Sequence, residues 1–223
     1  MPLLEDIQLK QAELVRKITT AALMVAPMEA ALPTTLTTYT AGPPPVIDLA
    51  PLPVGPPTYQ DAGMVEKDGG FSFGNEWDMS ETMALGFSDP VRRDILRNTT
   101  TLGFTALETK KLTQAMFYNV DLSGVAPATN TGEVAFNKPL SPASRYYRAY
   151  LIGQDGVGAQ TIWMAVMFPR AMISETGEQT GNEETEYGYP MTLTATPDTD
   201  AGYAVRYMFG GPGWQSQLTA MGY

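Results

Sequence analysis

The chain of 223 residues predicts an all-β domain, a sandwich or barrel with one flanking α-helix. Three observations carry this. Several segments alternate apolar and polar residues with period two, as half-buried strands do. Charged residues are only 17% of the chain, while 21 glycines and 18 prolines supply turns. One stretch alone carries a convincing helical stripe, and strands do not alternate with helices, so the sheet is predominantly antiparallel.

Along the chain, residues 1–20 read as an N-terminal arm, either a short amphipathic helix through Leu4, Ile7, Leu14 and Ile18 or a mobile segment. Residues 21–213 read as a single β-domain. It opens with a buried strand, Ala21 to Ala26, stopped by Pro27. Residues 42–57 hold seven prolines, which cannot donate to a ladder, so a stiff surface loop with at most a short β stretch near Val46 to Leu49 is expected. From Gly69 the pattern is β: Phe71 and Phe73 alternate with Ser72, and Trp77, Met79 and Met83 follow among acids. Arg92 to Asn98 fits a strand or a short helical turn, and the strand is favoured. Thr99 to Leu107 sets Leu102, Phe104 and Ala106 on one face and threonines on the other.

The helix is expected over 108–119. Leu112, Ala115 and Met116 form its stripe, Thr109 its cap, and Glu108 suits the positive end of the dipole. A Ser/Gly/Pro loop follows. Arg145 to Ile152 and Gln160 to Phe168 read as strands around a Gly-Asp-Gly turn. In the second, Ile162, Met164, Val166 and Phe168 face one way, and Trp163, Ala165 and Met167 the other. An apolar strand on both faces is central and covered twice. The second cover is expected from a helix or a neighbouring subunit. Tyr189 to Thr196 alternates, with Tyr189, Met191, Leu193 and Ala195 inward, and Tyr203 to Phe209 repeats the pattern. Gly210 to Gly213 ends the folded part, and 214–223 is read as a tail.

Chemistry is hard to place on this chain. It has no histidine and no cysteine, the side chains most used for proton transfer, nucleophilic attack and transition-metal binding near neutral pH. Carboxylate pairs such as Glu76 with Asp78 and Glu183 with Glu184 are expected among 24 acids and show no catalytic spacing. The acidic run Glu175 to Glu186 lacks the regular ligand spacing of a calcium loop and reads as a solvated loop. Gly153 to Gly158 resembles half a dinucleotide fingerprint, but a strand follows it and not a helix, so it reads as a hairpin turn. No catalytic residue, cofactor or metal site is expected. A net charge of −10 argues against wrapping nucleic acid, which needs a basic footprint. No secretory signal pattern opens the chain and no run of about 20 apolar residues spans a membrane, so assembly in a cytoplasm is expected. Surplus apolar strand surface points instead to a self-assembling building block. The candidate subunit-contact residues are Trp163, Met164, Val166 and Met167 on the two-faced strand, and Trp77 and Trp214 in less regular segments. Trp163 and Tyr207 also occupy core-like positions, where packing is the plainer role.

Three segments in order resemble the major tail tube proteins of long-tailed bacteriophages, particularly those of actinobacterial hosts. They are Ala21 to Pro33 (AALMVAPMEAALP), Tyr59 to Asn119 with DAGMVEKDGG and LGFTALETKKLTQAMFY, and the C-terminal RAYLIGQDGVG, TIWMAVMFPRAMI and GYPMTLTATPD. The proline-rich stretch and residues 1–20 look like additions. The resemblance implies a β-domain that forms hexameric rings stacked into a tube, through which the genome passes. It implies contacts with the tape measure, tail terminator and distal tail proteins, with DNA passing but not binding. It also implies a long inter-ring loop, for which 61–87 is the candidate, and a terminal arm, for which 1–20 is. An acidic or threonine-lined bore would repel phosphates within the ~8–10 Å that salt leaves unscreened. Competing readings are another virion component (a capsid decoration or tail-completion ring protein) and a carbohydrate-binding module using exposed aromatics.

Overall fold

The computed structural model describes residues 10–223, so the first part of the expected N-terminal arm lies outside the described residues. The chain forms β1 (Thr20–Pro27), β2 (Thr37–Thr40), β3 (Val46–Leu49), β4 (Gln60–Asp61), β5 (Phe71–Thr82), β6 (Arg92–Ala106), helix α1 (Lys111–Phe117), β7 (Tyr147–Asp155), β8 (Ile162–Thr176), β9 (Tyr189–Ala195), β10 (Arg206–Gly210), and two short helices, α2 (Pro212–Ser216) and α3 (Leu218–Met221). The main sheet is antiparallel, in the order β4-β1-β7-β8-β9-β6-β5, with β10 on β8.

This sheet closes into a barrel. The segment 60–66 lies between its two ends. On one side β4 pairs with β1, and the Ala62 N–H donates to the Leu23 carbonyl at 2.8 Å. On the other, Val65 bridges Ala106 and the Glu66 N–H donates to the Thr105 carbonyl at 2.9 Å. Closure occupies the free edge of β1 and the C-terminal end of β6, edges that would otherwise be sticky, while β5 keeps β6 as its one strand partner. The interior is filled by Leu23 and Val25 of β1, Leu151 of β7, Phe168 of β8, Leu193 of β9 and Leu102 of β6, with Met116 of α1 plugging one end. Alternation explains why these residues point in.

β8 runs on through Pro169 to Thr176, beyond the break expected at Phe168. Tyr147 pairs with Ala171 and Ala149 with Phe168, so two residues of β8 face one of β7. This bulge takes up the proline, which has no N–H for the ladder. It also turns both Phe168 and Ala171 inward.

The outer face of β8 carries Ala165 and Met167, and its cover is neither a helix nor another subunit. The chain supplies it from the stretch between β1 and β4: Ala30, Leu32, Leu36, Leu52 and Tyr59 pack there, with Tyr150 and Met208. The proline-rich stretch is part of this cover. Its β3 pairs with β2, Leu52 packs inward, and the Tyr59 hydroxyl donates to the Ala31 carbonyl at 3.1 Å. Burial pushes the phenols of Tyr59 and Tyr150 up to about 12, the mark of a largely dry layer.

Two further differences concern helices. The helix expected over 108–119 forms at Lys111–Phe117 with Lys110 at its N-cap and no side-chain cap. Thr109 is taken instead by the Tyr189 hydroxyl, which donates to it at 3.1 Å, and Glu108 accepts the Met64 N–H at 2.8 Å. The expected tail 214–223 is folded as α2 and α3. Pro212 starts α2 from Gly211, whose φ of +113° and position against the Thr161 carbonyl leave no room for a side chain. Trp214 stacks on Phe209 with ring centroids 5.0 Å apart. The Arg16 guanidinium donates to the Gln217 side chain, so this terminus also fastens the described end of the N-terminal segment.

Candidate assembly surface

β5 and β6 form a hairpin whose base belongs to the barrel and whose remainder leaves it. At the base, Phe71 pairs with Phe104 and Phe73 with Leu102. The next pair on that face, Asn75 and Thr100, is polar, and the threonine hydroxyl donates to the Asn75 side chain at 3.3 Å. This pair is the lip of the barrel. Beyond it the same face becomes apolar again: Trp77 opposite Asn98, then Met79 opposite Ile95. Trp77, Met79 and Ile95 are 50%, 53% and 60% exposed. The turn adds Met83, Leu85, Phe87 and Val91, all exposed.

A bulge keeps this face apolar. Asp78 pairs with Arg97 but Met79 pairs with Ile95, leaving Leu96 as the extra residue. Without that extra residue, parity would put Ile95 on the side of Arg97. The opposite face is polar, with Arg97 3.5 Å from Asp78 and Arg92 2.6 Å from Asp94. Past Met79 and Ile95 the same face turns polar at the Glu81–Arg93 ion pair, 2.9 Å apart, so the arm is an amphipathic ribbon over Trp77, Met79 and Ile95. A two-stranded ribbon is marginal in water unless something packs on it.

A second apolar patch lies on β10. Tyr207 and Phe209 share the face of their partners Val166 and Met164 yet remain about half exposed. The expectation that they point into the core is corrected here: Met208, on the other face, is the buried residue of this strand.

The six candidate contact residues therefore divide. Trp77 stands on the arm. Met164 and Val166 belong to the β10 face, Val166 also packing on the barrel core, and Trp214 stacks on Phe209. Met167 is fully buried beneath the 27–59 cover, so it is a core residue and unavailable to a neighbouring subunit. Trp163 packs on the same layer and its indole N–H donates to the Gln154 side chain at 3.3 Å. The 61–87 loop expectation also shifts: 60–66 closes the barrel, and the projecting element is the hairpin from β5 through β6. Sequence reasoning saw Trp77 and Met79 but did not set Ile95 on their face, because the bulge at Leu96 hides the alternation.

Charge placement is local. The Glu108 carboxylate is held below its usual range by Lys110 and by the Met64 N–H, and Lys110 in turn sits 3.3 Å from Asp61. This chain of contacts ties the barrel-closing segment to the start of α1. Among the described residues, no group of three acidic side chains is placed to hold a metal ion. No helix among them is long and apolar enough to cross a membrane.

No curated protein matches the chain. Among solved structures, a chain in the virion of a native gene transfer agent (GTA) particle aligns with 81% of this chain and 100% of its own, at 8% identity and a TM-score of 0.35. The family model described as phage tail tube protein matches residues 10–208. Spanning as it does most of the chain and the whole barrel with its arm, that match shows that the protein belongs to the phage tail tube protein family and is a structural component of the virion tail.

Proposed function

We propose that copies of this chain close into rings, six to a ring as the family resemblance implies, and that rings stack through the β5–β6 arm into a conduit for the genome. The observation that carries this is the arm itself: a ribbon with Trp77, Met79 and Ile95 on one face and nothing among the described residues to cover them. Burying that face recovers about 25 cal/mol for each Å² of apolar surface, and a second subunit is the surface at hand. The patch on β10 is different in composition and position. Two unlike patches on one subunit suit a heterologous contact, which closes into rings or propagates as stacks. Trp77, Met164 and Trp214 are the contact residues of this reading. The net charge of −10 favours passage of DNA over binding. The role is structural and not enzymatic, and the other partners are further tail proteins assembled in the host cytoplasm.

Negative-stain electron microscopy of the purified protein tests the reading. Stacked rings or tubes are expected. A chain that stays monomeric by light scattering at high concentration overturns it, and isolated rings that never stack favour a completion-ring protein.

A further inference from the structure

The strand registers place two features at opposite ends of the barrel. β6 leaves toward the arm at its N-terminal end, and following the antiparallel pairings round the barrel puts the β7–β8 turn and the start of β1 at that same end. The other end gathers Pro27 of β1, Tyr147 of β7, Tyr189 of β9 and the chain entering α1. At this far end lies a cleft of about 570 Å³, walled by the end of β1, by α1 and by the chain on either side of the 123–144 loop. Met28, Leu112 and Ala115 give it an apolar floor, and Lys111 and Arg145 stand at its wall with Glu29 and Asp121, Lys111 donating to the Ser123 and Val125 carbonyls. Arg145 is incompletely used. Its terminal nitrogen is 3.8 Å from Asp121, while its Nε, like that of Arg148, is buried with no hydrogen-bond partner among the described residues. A buried guanidinium N–H left unpaired is costly and calls for an acceptor.

The arm tip has the matching chemistry. Its residues 83–91 carry exposed Met83, Leu85 and Phe87, and Asp89 is their sole charged side chain. We infer that the cleft between α1 and the end of β1 is the socket for the arm tip of a second copy, with Leu85 and Phe87 on its apolar floor and Asp89 directed to Arg145. The inference rests on the stacking reading and specifies its receiving surface. A plug at one end and a socket at the other form a contact that repeats without limit along one axis, as a tube requires.

The chain has no cysteine, so introduced thiols are the sole ones present. Both Ser88 on the tip and Ser144 on the cleft wall are exposed. Protein carrying Ser88→Cys and Ser144→Cys, assembled and treated with a short bismaleimide, should give a ladder of crosslinked multimers on a denaturing gel. Each single variant should give none. Tubes that form without a ladder overturn the socket and leave stacking through the arm intact. A variant with 83–91 replaced by a two-residue Asn-Gly turn that still builds full-length tubes overturns the stacking reading, and the socket with it. Charge reversal gives an independent readout. Arg145→Glu should raise the critical concentration for assembly about tenfold or more, the scale of one close charge pair. Adding Asp89→Arg should bring it back, and failure of the double variant to recover counts against the pairing.

Discussion

The two halves of β6, one regular and one bulged at Leu96, meet opposite environments. From Thr100 to Ala106 every second side chain enters a closed barrel, and Leu102 and Ala106 are wholly buried. From Arg92 to Asn98 the strand has a single partner, β5, and Ile95 stands in solvent. The difference is one of neighbours. Within the barrel β6 has β9 on one edge and β5 with the 64–66 segment on the other, whereas beyond the lip it has only β5. Apolar surface in the first region stabilises the subunit. The same kind of surface in the second stays half exposed in the subunit, and the proposed stacking would bury it.

That contrast can be measured. Phe168→Ala in the barrel should lower unfolding free energy by about 3–5 kcal/mol, read as a fall in the urea midpoint, and should abolish assembly through loss of the fold. An unchanged midpoint would mean the barrel core is not what holds the subunit. Thr113→Val comes next. The Thr113 hydroxyl is buried and donates to the Ala62 carbonyl at 3.2 Å, pinning α1 to the barrel-closing segment. Losing it should cost about 1–3 kcal/mol, with hydrogen exchange speeding up at 60–66 ahead of the rest of the barrel.

On the arm the order reverses. Trp77→Asp should change subunit stability by no more than about 0.5 kcal/mol, as exposed positions do, while tube yield in electron micrographs collapses. A large loss of subunit stability would show that the arm is packed in the monomer, contrary to its exposure. Deleting residues 1–17 should likewise spare the fold, apart from the Arg16 contact with Gln217, and shorten tubes if the N-terminal segment helps to join rings.

The smallest effect concerns pH. The folded-state pKa of Glu108 lies below its ordinary value, chiefly through Lys110 and then the Met64 N–H. The unfolded chain therefore holds this proton more tightly than the folded one. The contribution is fully present above the unfolded glutamate pKa of about 4.3 and is lost as pH falls through the lower folded one. Glu108→Gln should be slightly less stable than the parent at neutral pH and converge with it in acid. A gap that persists at low pH would assign the effect to packing of the side chain and not to its charge.

Much of this was legible in the residues. Period-two patterns located β9 and the inner half of β6, setting Leu102, Phe104 and Ala106 on one face and Met191 and Leu193 inward, and an apolar run located β1. Short-range rules failed where a distant partner intervened. Proline at 169 looked like a strand end and is a bulge, since β7 offers one residue to two of β8. Thr109 looked like a helix cap and is claimed by Tyr189, 80 residues away in sequence. The C-terminal decapeptide looked like a tail, but Phe209 and Gly211 give Trp214 a place to stack.

The sequence by itself determined that this is an all-β chain with an apolar two-faced strand, no histidine or cysteine, and the ordered segments of a tail tube subunit. The strand pattern and the missing side chains follow from local alternation and composition, which need no knowledge of what lies across the fold, whereas the ordered segments are a family resemblance. Only the tertiary structure decided which apolar surface is spare. Met167 and Ile95 are equally greasy in sequence, yet one lies under the proline-rich cover and the other on an open ribbon. Whether a face is buried depends on what the rest of the chain lays over it, and that is settled by closure of the barrel and not by the residues of any one strand.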